Sequence, residues 1–452
     1  MSERRKFKEV LARALRRRSA PGPASAAWAA LLAAGLLLFP ALQVRAQRAE
    51  PVTVRMIELQ RPTEQAWQRA VVERFHAEQD LIRVDLLSSG GRALVDQMLT
   101  LLAAGDPPDI GYHDPPLINI WGSRGIAKDI RPYLEREGAA SPFSEFLEPS
   151  MNLFAVEGRQ YGIPFDVQIT AFLYSETAFD QAGVAYPTEG WTWDDVAAEG
   201  RKLTYDRSGD GQIDQWGTMF PPWWLWEVMH WAFGGATTDR PQLPTAFTGD
   251  APASIAFLNF AYDLIHGRNV MAAPSAVSTN VGLNIVEHRN VAMAVGHTFY
   301  IQYMVGTDSD VRWNVTRLPR GPAGNTSLIN SLGWFIFEEA RQPDAAWEVL
   351  KYFSSEESMT LASVMHGALV PHRQATLSAW MSYWEQPENR VAFLDSIPGA
   401  RGVPNLIDQG GSAVTSNINA IMLGQKAIAQ ALAEMRLGVE SWLAMQKEQR
   451  IR

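Results

Sequence analysis

Five tryptophans stand close together near the middle of this 452-residue chain. They lie within sixteen residues, around the pair Pro221-Pro222: Trp216, Trp223, Trp224, Trp226 and Trp231. Two adjacent prolines break a helix, so this spacing does not describe the regular stripe of a helical core. A flat indole covers the apolar C–H face of a sugar ring, while carboxylates and amides bind the hydroxyls on its rim. The cluster therefore predicts a carbohydrate site. The alternative is that these rings fill a core.

A short acidic segment resembles the start of a calcium-binding loop. Oxygen-bearing side chains stand at positions one, three, five and nine of this loop: Asp206, Ser208, Asp210 and Asp214. Gly211 occupies position six, where such loops turn sharply. Gly217 stands at position twelve, where a bidentate glutamate should close the metal site. We therefore treat the loop as a weak calcium candidate and expect no bound metal.

The first 46 residues have the pattern of a secretory signal. They hold nine basic and two acidic residues, and residues 19–44 carry no charge. Small side chains, Val44 and Ala46, stand three residues and one residue before the predicted cleavage after Ala46. Removal of this segment leaves 31 basic and 47 acidic residues, a net charge of −16. We expect an exported protein, by the general or the twin-arginine route. An uncleaved membrane anchor is the alternative.

The composition excludes several classes of protein. The absence of cysteine excludes disulfides, thiolate metal sites, cysteine nucleophiles and a lipid-modified cysteine. A formal net charge of −9 argues against nucleic acid as a partner. No Gly-x-Ser-x-Gly, His-Glu-x-x-His or Gly-Lys-Ser/Thr motif is present. We expect no enzyme and no cofactor. An exported glycoside hydrolase is the alternative, because its two carboxylates need not be neighbours in sequence.

Hydrophobic patterns between residues 52 and 112 alternate between strand and helix. Strands are predicted over 52–59, 81–87 and 109–112, and helices over 64–78 and from Leu94 to Leu102. This order predicts a parallel sheet flanked by helices. Ligands bind beyond the carboxyl ends of such strands, so the loops at 61–65 and 113–116 are the first places to expect a site.

Several later segments carry a family resemblance. They follow one another in the order Pro107-Pro108-Asp109-Ile110, Tyr161-Gly162-Ile163-Pro164-Phe165-Asp166, Ala171–Ser175, Asn290–Gly296, Gly333-Trp334-Phe335-Ile336 and Gly367–Pro371. Together they resemble family-1 extracellular solute-binding proteins, the maltose-binding-like receptors of ATP-binding-cassette (ABC) importers. The resemblance covers nearly all of residues 51–375.

The resemblance implies an α/β protein with the type II periplasmic binding protein fold, in which a ligand cleft separates two lobes. The N-terminal lobe would comprise 51–165 and 294–336, and the C-terminal lobe 168–292 and 338–450. The lobes of such a receptor hinge shut around a ligand that contacts both of them. Capture of this kind requires no covalent chemistry.

The resemblance also implies a function and a location. The protein would be a periplasmic monomer that captures a mono- or oligosaccharide or a related polyol. It would deliver this ligand to the permease subunits of an ABC importer in the inner membrane. A sensory binding protein, whose closed form signals to a chemoreceptor or kinase, is a further alternative.

The expected ligand-binding residues combine the indoles with polar groups near the predicted crossings between lobes. His297 and Phe299 stand where the family often has an aromatic residue, and Trp334 stands in its Gly-Trp motif. The expected site consists of Glu64, Gln65, Asp114, Asp166, Gln168, Trp223, Trp224, Trp226, His297, Phe299, Trp334 and Arg373.

Overall fold

The structure is a computed structural model that describes residues 50–88, 93–138, 141–406 and 408–451. The predicted signal segment, residues 1–46, lies outside these ranges. Within the part of the chain that the structure describes, no helix is both long enough and apolar enough to cross a membrane.

The described residues form short strands and helices in alternation. The strands are β1 (Val52–Ile57), β2 (Ile82–Leu87), β3 (Ile110–His113), β4 (Ala155–Val156), β5 (Arg159–Gln160), β6 (Ile163–Pro164), β7 (Gln168–Ser175), β8 (Thr218–Met219), β9 (Met271–Ala272), β10 (Met293–His297), β11 (Trp313–Thr316), β12 (Leu328–Asn330), β13 (Gly333–Ile336) and β14 (Arg401–Gly402).

The α-helices are α1 (Pro62–Glu78), α2 (Leu94–Ala103), α3 (Pro115–Ser123), α4 (Arg131–Glu137), α5 (Glu148–Asn152), α6 (Glu176–Ala182), α7 (Trp193–Lys202), α8 (Glu227–Ala232), α9 (Pro252–Tyr262), α10 (Val281–Val286), α11 (Thr298–Gly306), α12 (Pro343–Phe353), α13 (Glu356–His366), α14 (Arg373–Ala375), α15 (Met381–Tyr383), α16 (Val391–Leu394), α17 (Asp408–Met422) and α18 (Ile428–Ile451). Short 3-10 helices cover Pro142–Glu145 and Trp223–Trp226, and π-helical turns cover Asp263–Gly267 and Thr376–Trp380.

The first sheet has the strand order β2-β1-β3-β13-β6. Strand β1 pairs in parallel with both β2 and β3, which confirms the parallel arrangement predicted for this region. Helix α1 buries Trp67, Val71, Val72 and Phe75, the face that its hydrophobic spacing predicts. Strand β13 joins the sheet antiparallel to β3 and β6.

The second sheet is built around β7, whose eight residues are all buried. Strands β10, β11 and β12 pair with it in the antiparallel sense, and β14 extends the sheet beyond β12. A strand that is buried on both faces reads as a continuous apolar run, as the segment from Ala171 to Tyr174 does.

The strand pairing divides the chain differently from the lobe bounds that we expected. We assigned 294–336 to the lobe of the first sheet, but within this segment β11, β12 and nearly all of β10 belong to the second sheet. We also assigned residues after 338 to the other lobe, yet α12 and α13 pack on the first sheet side. There the Trp67 indole N–H donates to the Ser358 carbonyl at 2.9 Å. Motif order along the chain does not determine which sheet a returning strand joins.

Two segments that pass between the sheets lie side by side. Residues 165–167 connect β6 to β7, and residues 331–332 connect β12 to β13. Asp166 ties them together, because its Oδ1 accepts from the Leu332 N–H at 2.6 Å and its carbonyl accepts from the Ser331 hydroxyl at 2.8 Å. The backbone N–H of Phe165 also donates to the Leu332 carbonyl at 2.9 Å.

The same crossing is held from two further elements. The Val167 N–H donates to the Leu369 carbonyl at 2.7 Å, just beyond the end of α13. The Thr298 hydroxyl, at the start of α11, donates to the Val167 carbonyl at 2.5 Å. Residues 165–167 are therefore fixed by hydrogen bonds from three separate parts of the chain.

The acidic loop at 206–214 uses its carboxylates to hold its own backbone. Asp206 accepts from the N–H groups of Gly209 and Gly211 at 2.6 and 2.7 Å, and Asp214 accepts from two more at 2.7 Å. These hydrogen bonds lower the pKa of Asp206, with the bond from Gly211 contributing most. Among the described residues no group of three or more acidic or histidine side chains could hold a metal ion.

Gly217 explains why this loop has no twelfth-position glutamate. A Cβ atom at this position would overlap the carbonyl oxygen and Cα of Gly200 in α7. The backbone of Gly217 is also held from both sides, by the Thr204 hydroxyl and by the N–H of Met293. Close backbone packing against a helix therefore excludes any side chain where a calcium loop would close.

We predict that Gly217→Ala destabilises the protein by about 2–3 kcal/mol, because the clash is with backbone and cannot be relieved by a rotamer change. Gly190→Ala is the matched control, since a Cβ there meets only the Thr188 hydroxyl at 3.8 Å. Urea unfolding of the three proteins measures the difference. Equal midpoints for both variants would contradict the close packing described here.

Candidate functional site

A cleft of about 380 Å³ opens where the two sheets face each other. Its walls come from the residue before α1, from the start of α3, from the 3-10 helix over Trp223–Trp226, from strands of the second sheet, and from α17 with the segment before it. The lining residues are Arg61, Asp114, Pro116, Gln168, Trp223, Trp224, Leu225, His297, Phe299, Leu328, Asn330, Leu332, Val403, Pro404, Leu406 and Thr415.

Trp223 presents its indole to this cleft from a strained backbone. The side chain is 53 % exposed, and its φ of +50° lies in the left-handed region. A bulky residue with a positive φ is a rare outlier that costs free energy. Pro221 and Pro222 precede it, and it begins the 3-10 helix over Trp223–Trp226. Trp224 lies next to it and also lines the cleft.

The polar groups of the cleft form a chain of amides beside a neutral histidine. The Gln168 amide donates to Asp166 at 2.8 Å and accepts from the Asn330 amide at 3.3 Å. The Oδ1 of Asn330 has no hydrogen-bond partner among the described residues, so it is free to accept. Burial, with a smaller contribution from the Arg61 charge, lowers the pKa of His297 to about 3, so the ring is neutral. Its Nδ1 accepts from the Phe299 N–H, which leaves Nε2 as the donor.

Arg61 and Asp114 complete the charged lining. Arg61 forms an ion pair with Glu64 and lies over the Phe299 ring, with its guanidinium carbon 4.1 Å from the ring centroid. Asp114 caps α3 by accepting from the Leu117 N–H at 3.5 Å, and it contacts His113 Nδ1 at 2.5 Å. The cleft thus offers neutral donors and acceptors, one carboxylate and exposed aromatic surface. This arrangement can bind a hydroxyl-rich molecule.

The amino-acid sequence matches the family described as bacterial extracellular solute-binding protein over residues 60–360, about two thirds of the chain. This chain belongs to that family. The match confirms the resemblance that the interlobe motifs predict.

Relatives of this solute-binding protein have diverged widely in sequence. A binding protein of Brucella abortus (strain 2308) is 21% identical over 373 residues, which cover 82% of this chain and 88% of the relative. Among solved structures, the ABC substrate-binding protein Lmo0181 of Listeria monocytogenes, in complex with cycloalternan, has a TM-score of 0.75 at 19% identity. The superposition covers 87% of this chain and 99% of that one.

A second solved structure is UgpB of Mycobacterium tuberculosis in complex with glycerophosphocholine. Its TM-score is 0.71 at 19% identity, and the superposition covers 88% of this chain and 99% of that one. These similarities confirm the two-lobed fold of periplasmic solute-binding proteins for this chain.

The solute-binding protein buries two carboxylates beside its cleft. Glu64 and Asp166 line a small adjoining cavity of about 10 Å³, together with His366 and Phe299. Burial, with a smaller contribution from the Asp166 charge, raises the pKa of Glu64 to about 7, although the neighbouring Arg61 opposes the rise. Burial also raises the pKa of Asp166 to about 6, while hydrogen bonds from Gln168 and from the Leu332 N–H oppose the rise.

The structure brings half of the expected site residues into the cleft. Asp114, Gln168, Trp223, Trp224, His297 and Phe299 line it. Glu64 and Asp166 lie in the adjoining cavity. Gln65 is half-buried and Arg373 is exposed at the start of α14, and neither is among the described residues that line either cavity. Ligand binding by all of these residues stays a prediction.

Two of the predicted tryptophans are core residues instead. Trp226 is 2 % exposed and stacks on Phe257, with ring centroids 6.2 Å apart. Trp334 has no exposed surface and packs against Phe165, with ring centroids 4.7 Å apart. Their large apolar area is already removed from water by these rings, so neither has a face to offer a ligand. Trp231 is also buried.

Several cleft residues were not predicted. Arg61 falls within the loop that the sheet topology singles out, so its position was the available signal. Asn330 lies just before the crossing into β13, a location that only the strand pairing reveals. The last lining residues along the chain follow Leu332 after a gap of about 70 residues, and no local pattern in the sequence marks them: Val403, Pro404, Leu406 and Thr415.

A buried polar network elsewhere has the residue types of a hydrolase triad. His230 Nε2 lies 2.7 Å from the Ser254 hydroxyl, and His230 Nδ1 lies 3.2 Å from a Glu227 carboxylate oxygen. The second Glu227 oxygen accepts from the Thr237 hydroxyl. Ser254 and Glu227 have no exposed surface, so no substrate can reach the hydroxyl. The network ties α8 to α9 and is structural.

We predict that Trp223→Gly is more stable than Trp223→Ala by about 1 kcal/mol, because glycine adopts a positive φ without the steric cost that any Cβ carries. Trp224 has no positive φ, so Trp224→Gly should be less stable than Trp224→Ala by about 0.5–1 kcal/mol. Urea unfolding of the four variants tests both signs. The same sign at both positions would rule out strain at Trp223.

We predict that removing the Glu64 charge changes the pH dependence of stability. The folded protein binds the Glu64 proton more tightly than the unfolded chain does, with a pKa of about 7 against an ordinary value of 4.5. The contribution of this group is therefore present below about pH 4.5 and lost as the pH rises through about 7. Glutamine does not titrate, so Glu64→Gln should gain about 1–3 kcal/mol relative to wild type across this window.

Urea unfolding at about pH 5 and about pH 8 measures this gain, since the two values bracket most of the Glu64 titration. Glu357→Gln is the control, because Glu357 is exposed and paired with Arg74 on the same side of the protein. Parallel pH profiles for wild type and Glu64→Gln would contradict the prediction.

Proposed function

We propose that this protein is the ligand-binding subunit of a carbohydrate ABC importer, which captures a sugar between two lobes and delivers it to the permease. The observation that carries the proposal is the pair Trp223 and Trp224 in a cleft that is bordered by both sheets. An exposed indole held at an energetic cost is best explained by a ligand that it contacts.

The polar lining supports a neutral, hydroxyl-bearing ligand. The free Oδ1 of Asn330 accepts from a hydroxyl, and the neutral ring of His297 donates to one. Arg61 is already paired with Glu64 and stacked on Phe299, so its charge is partly compensated. The complexes of the Listeria and Mycobacterium proteins, with cycloalternan and glycerophosphocholine, make oligosaccharides and glycerol phosphodiesters the first ligands to test.

Lobe closure is the proposed mechanism of capture. We assign about 51–165 and 333–366 to the first lobe, and about 168–330 with the helices after residue 390 to the second. Arg61 from the first lobe lies over Phe299 from the second, so this stacking contact bridges the cleft. A ligand that adds contacts to both lobes would stabilise the closed form, which the permease then recognises.

The proposed setting is the periplasm. We propose that residues 1–46 direct export and are removed near Ala46, and that the mature protein works as a monomer. The inner-membrane permease subunits would be its protein partners. Enzymatic activity and a cofactor form no part of this proposal.

The proposal is tested with the mature protein in a thermal-shift screen of monosaccharides, oligosaccharides, polyols and glycerol phosphodiesters, followed by calorimetry of each hit. A ligand that binds only the folded state must raise the melting temperature. Trp223→Ala should weaken that ligand by about 10–100-fold, or about 1.4–2.8 kcal/mol. Trp191→Phe, a partly buried tryptophan that packs on Phe179 away from the cleft, should bind as wild type does.

The same incubations distinguish the alternatives. Release of a hydrolysed product would show that the protein is a glycoside hydrolase and not a receptor. An unchanged melting temperature across the panel would contradict the proposal of a carbohydrate ligand. Uptake of the identified sugar by cells that lack the gene separates import from sensing. Loss of uptake supports the importer, whereas normal uptake with lost chemotaxis or signalling supports a sensor.

A further inference from the structure

A second cavity, of about 460 Å³, lies beside the cleft and is separate from it. It is bounded by the end of α3, by the loop at residues 242–245 and by the last helix, α18. The segment at 403–406 forms a wall between the two spaces. Pro404 and Leu406 line the cleft, whereas Asn405 between them lines the second cavity.

Two residues that line this cavity each carry a buried polar atom without a partner among the described residues. Asn119 is 2 % exposed and Trp442 is 3 % exposed, and both line the cavity. Neither the Asn119 Oδ1 nor the Trp442 Nε1 has a hydrogen-bond partner among the described residues. The Asn119 amide N–H donates to the Leu153 carbonyl at 2.8 Å, and since a carbonyl can only accept, this bond fixes which amide atom is free. An unpaired buried polar group destabilises the folded protein unless a bound molecule completes its hydrogen bond.

The two atoms have opposite hydrogen-bonding roles. The Trp442 indole can only donate, and the Asn119 oxygen can only accept. A hydroxyl group can do both, whereas an ionised carboxylate or a fully ionised phosphate can only accept. The remaining wall includes aliphatic side chains such as Ile120, Val156 and Leu443, which suit C–H groups. Among the described lining residues there is no carboxylate, and the one charged side chain is the exposed Lys447.

We propose that this cavity is a second binding site, which takes a small neutral polyol or sugar through Asn119 and Trp442. This proposal does not depend on which ligand the cleft takes. Its volume exceeds that of a single water by far, since one water occupies about 30 Å³ of liquid.

The position of the site couples it to the cleft. Asn405 is held by the Gln242 carbonyl at 2.8 Å, and its own N–H donates to the Pro241 carbonyl at 2.6 Å. A ligand in the second cavity therefore touches the segment whose neighbouring residues line the cleft. By linkage, any effect of this ligand on cleft affinity must be matched by an equal effect in return.

The test uses the mature protein labelled with ¹⁵N in its tryptophan indoles. Trp442→Phe identifies the Trp442 indole N–H resonance by its loss from the spectrum. Glycerol, xylitol and trehalose are then titrated separately up to about 100 mM, where a millimolar site is saturated. We expect the Trp442 resonance to shift saturably with at least one of them.

Ala444→Trp fills the cavity from an exposed position of α18 that lines it, and it should abolish the shift. Met445→Trp is the matched control, because Met445 is 37 % exposed on the same helix and does not line the described cavity. The control should keep the shift. Thermal melts of both variants show that they are folded.

Three results would overturn the proposal. They are a Trp442 resonance that does not move with any of the three probes, a shift that persists unchanged in Ala444→Trp, and a shift with inorganic phosphate but none with the polyols. The first would mean that the cavity holds solvent only. Failure of the cleft to bind carbohydrate leaves all of these readings unaffected, because they report on Trp442 alone.

Discussion

The buried carboxylate of Asp166 is the point on which the two halves of the protein depend. It belongs to one chain crossing and accepts from the Leu332 N–H of the other crossing and from the Gln168 amide at the start of β7. An ionised group can be buried only where hydrogen bonds replace its water, and here the burial still raises its pKa to about 6. The two crossings are therefore held together by a carboxylate whose hydrogen bonds offset the cost of burying its charge. The cleft opens directly beside it, through Gln168 and Asn330.

The cleft and the core use the same residue types for different purposes. Trp223 keeps half of its surface in solvent, while Trp226, three residues later, is covered by Phe257. The backbone differs as well, because Trp223 has a positive φ at the start of the 3-10 helix and Trp226, at its end, does not. Burial also determines what His297 can do, because it keeps the imidazole neutral and able to donate a hydrogen bond to a hydroxyl. The lining therefore favours recognition by shape and hydrogen bonding over recognition by charge.

Sequence alone predicts the local order of the fold well and its long-range closure less well. Hydrophobic periodicity predicts the β-α-β-α-β unit, and short sequence motifs predict the family. Both predictions are confirmed. The sheet that β10, β11 and β12 join is set by pairing with β7, more than a hundred residues away, and our lobe bounds placed them with the other sheet. Trp334 and Trp226 were expected in the site for their chemistry, but burial depends on distant neighbours. Asn330 and Thr415 were missed for the same reason.

The unusual exposure of Trp223 also has an optical consequence. Of the tryptophans that the structure describes, Trp223 is the one with a large exposed surface, while the others are half-buried or buried. A soluble collisional quencher such as acrylamide or iodide reaches exposed indoles far more readily than buried ones. The quencher-accessible part of the emission should therefore come mainly from one ring at the mouth of the cleft. A ligand that covers Trp223 would shield this part of the emission from the quencher. Quenching would then report whether the cleft is occupied, although the sequence contains 16 tryptophans.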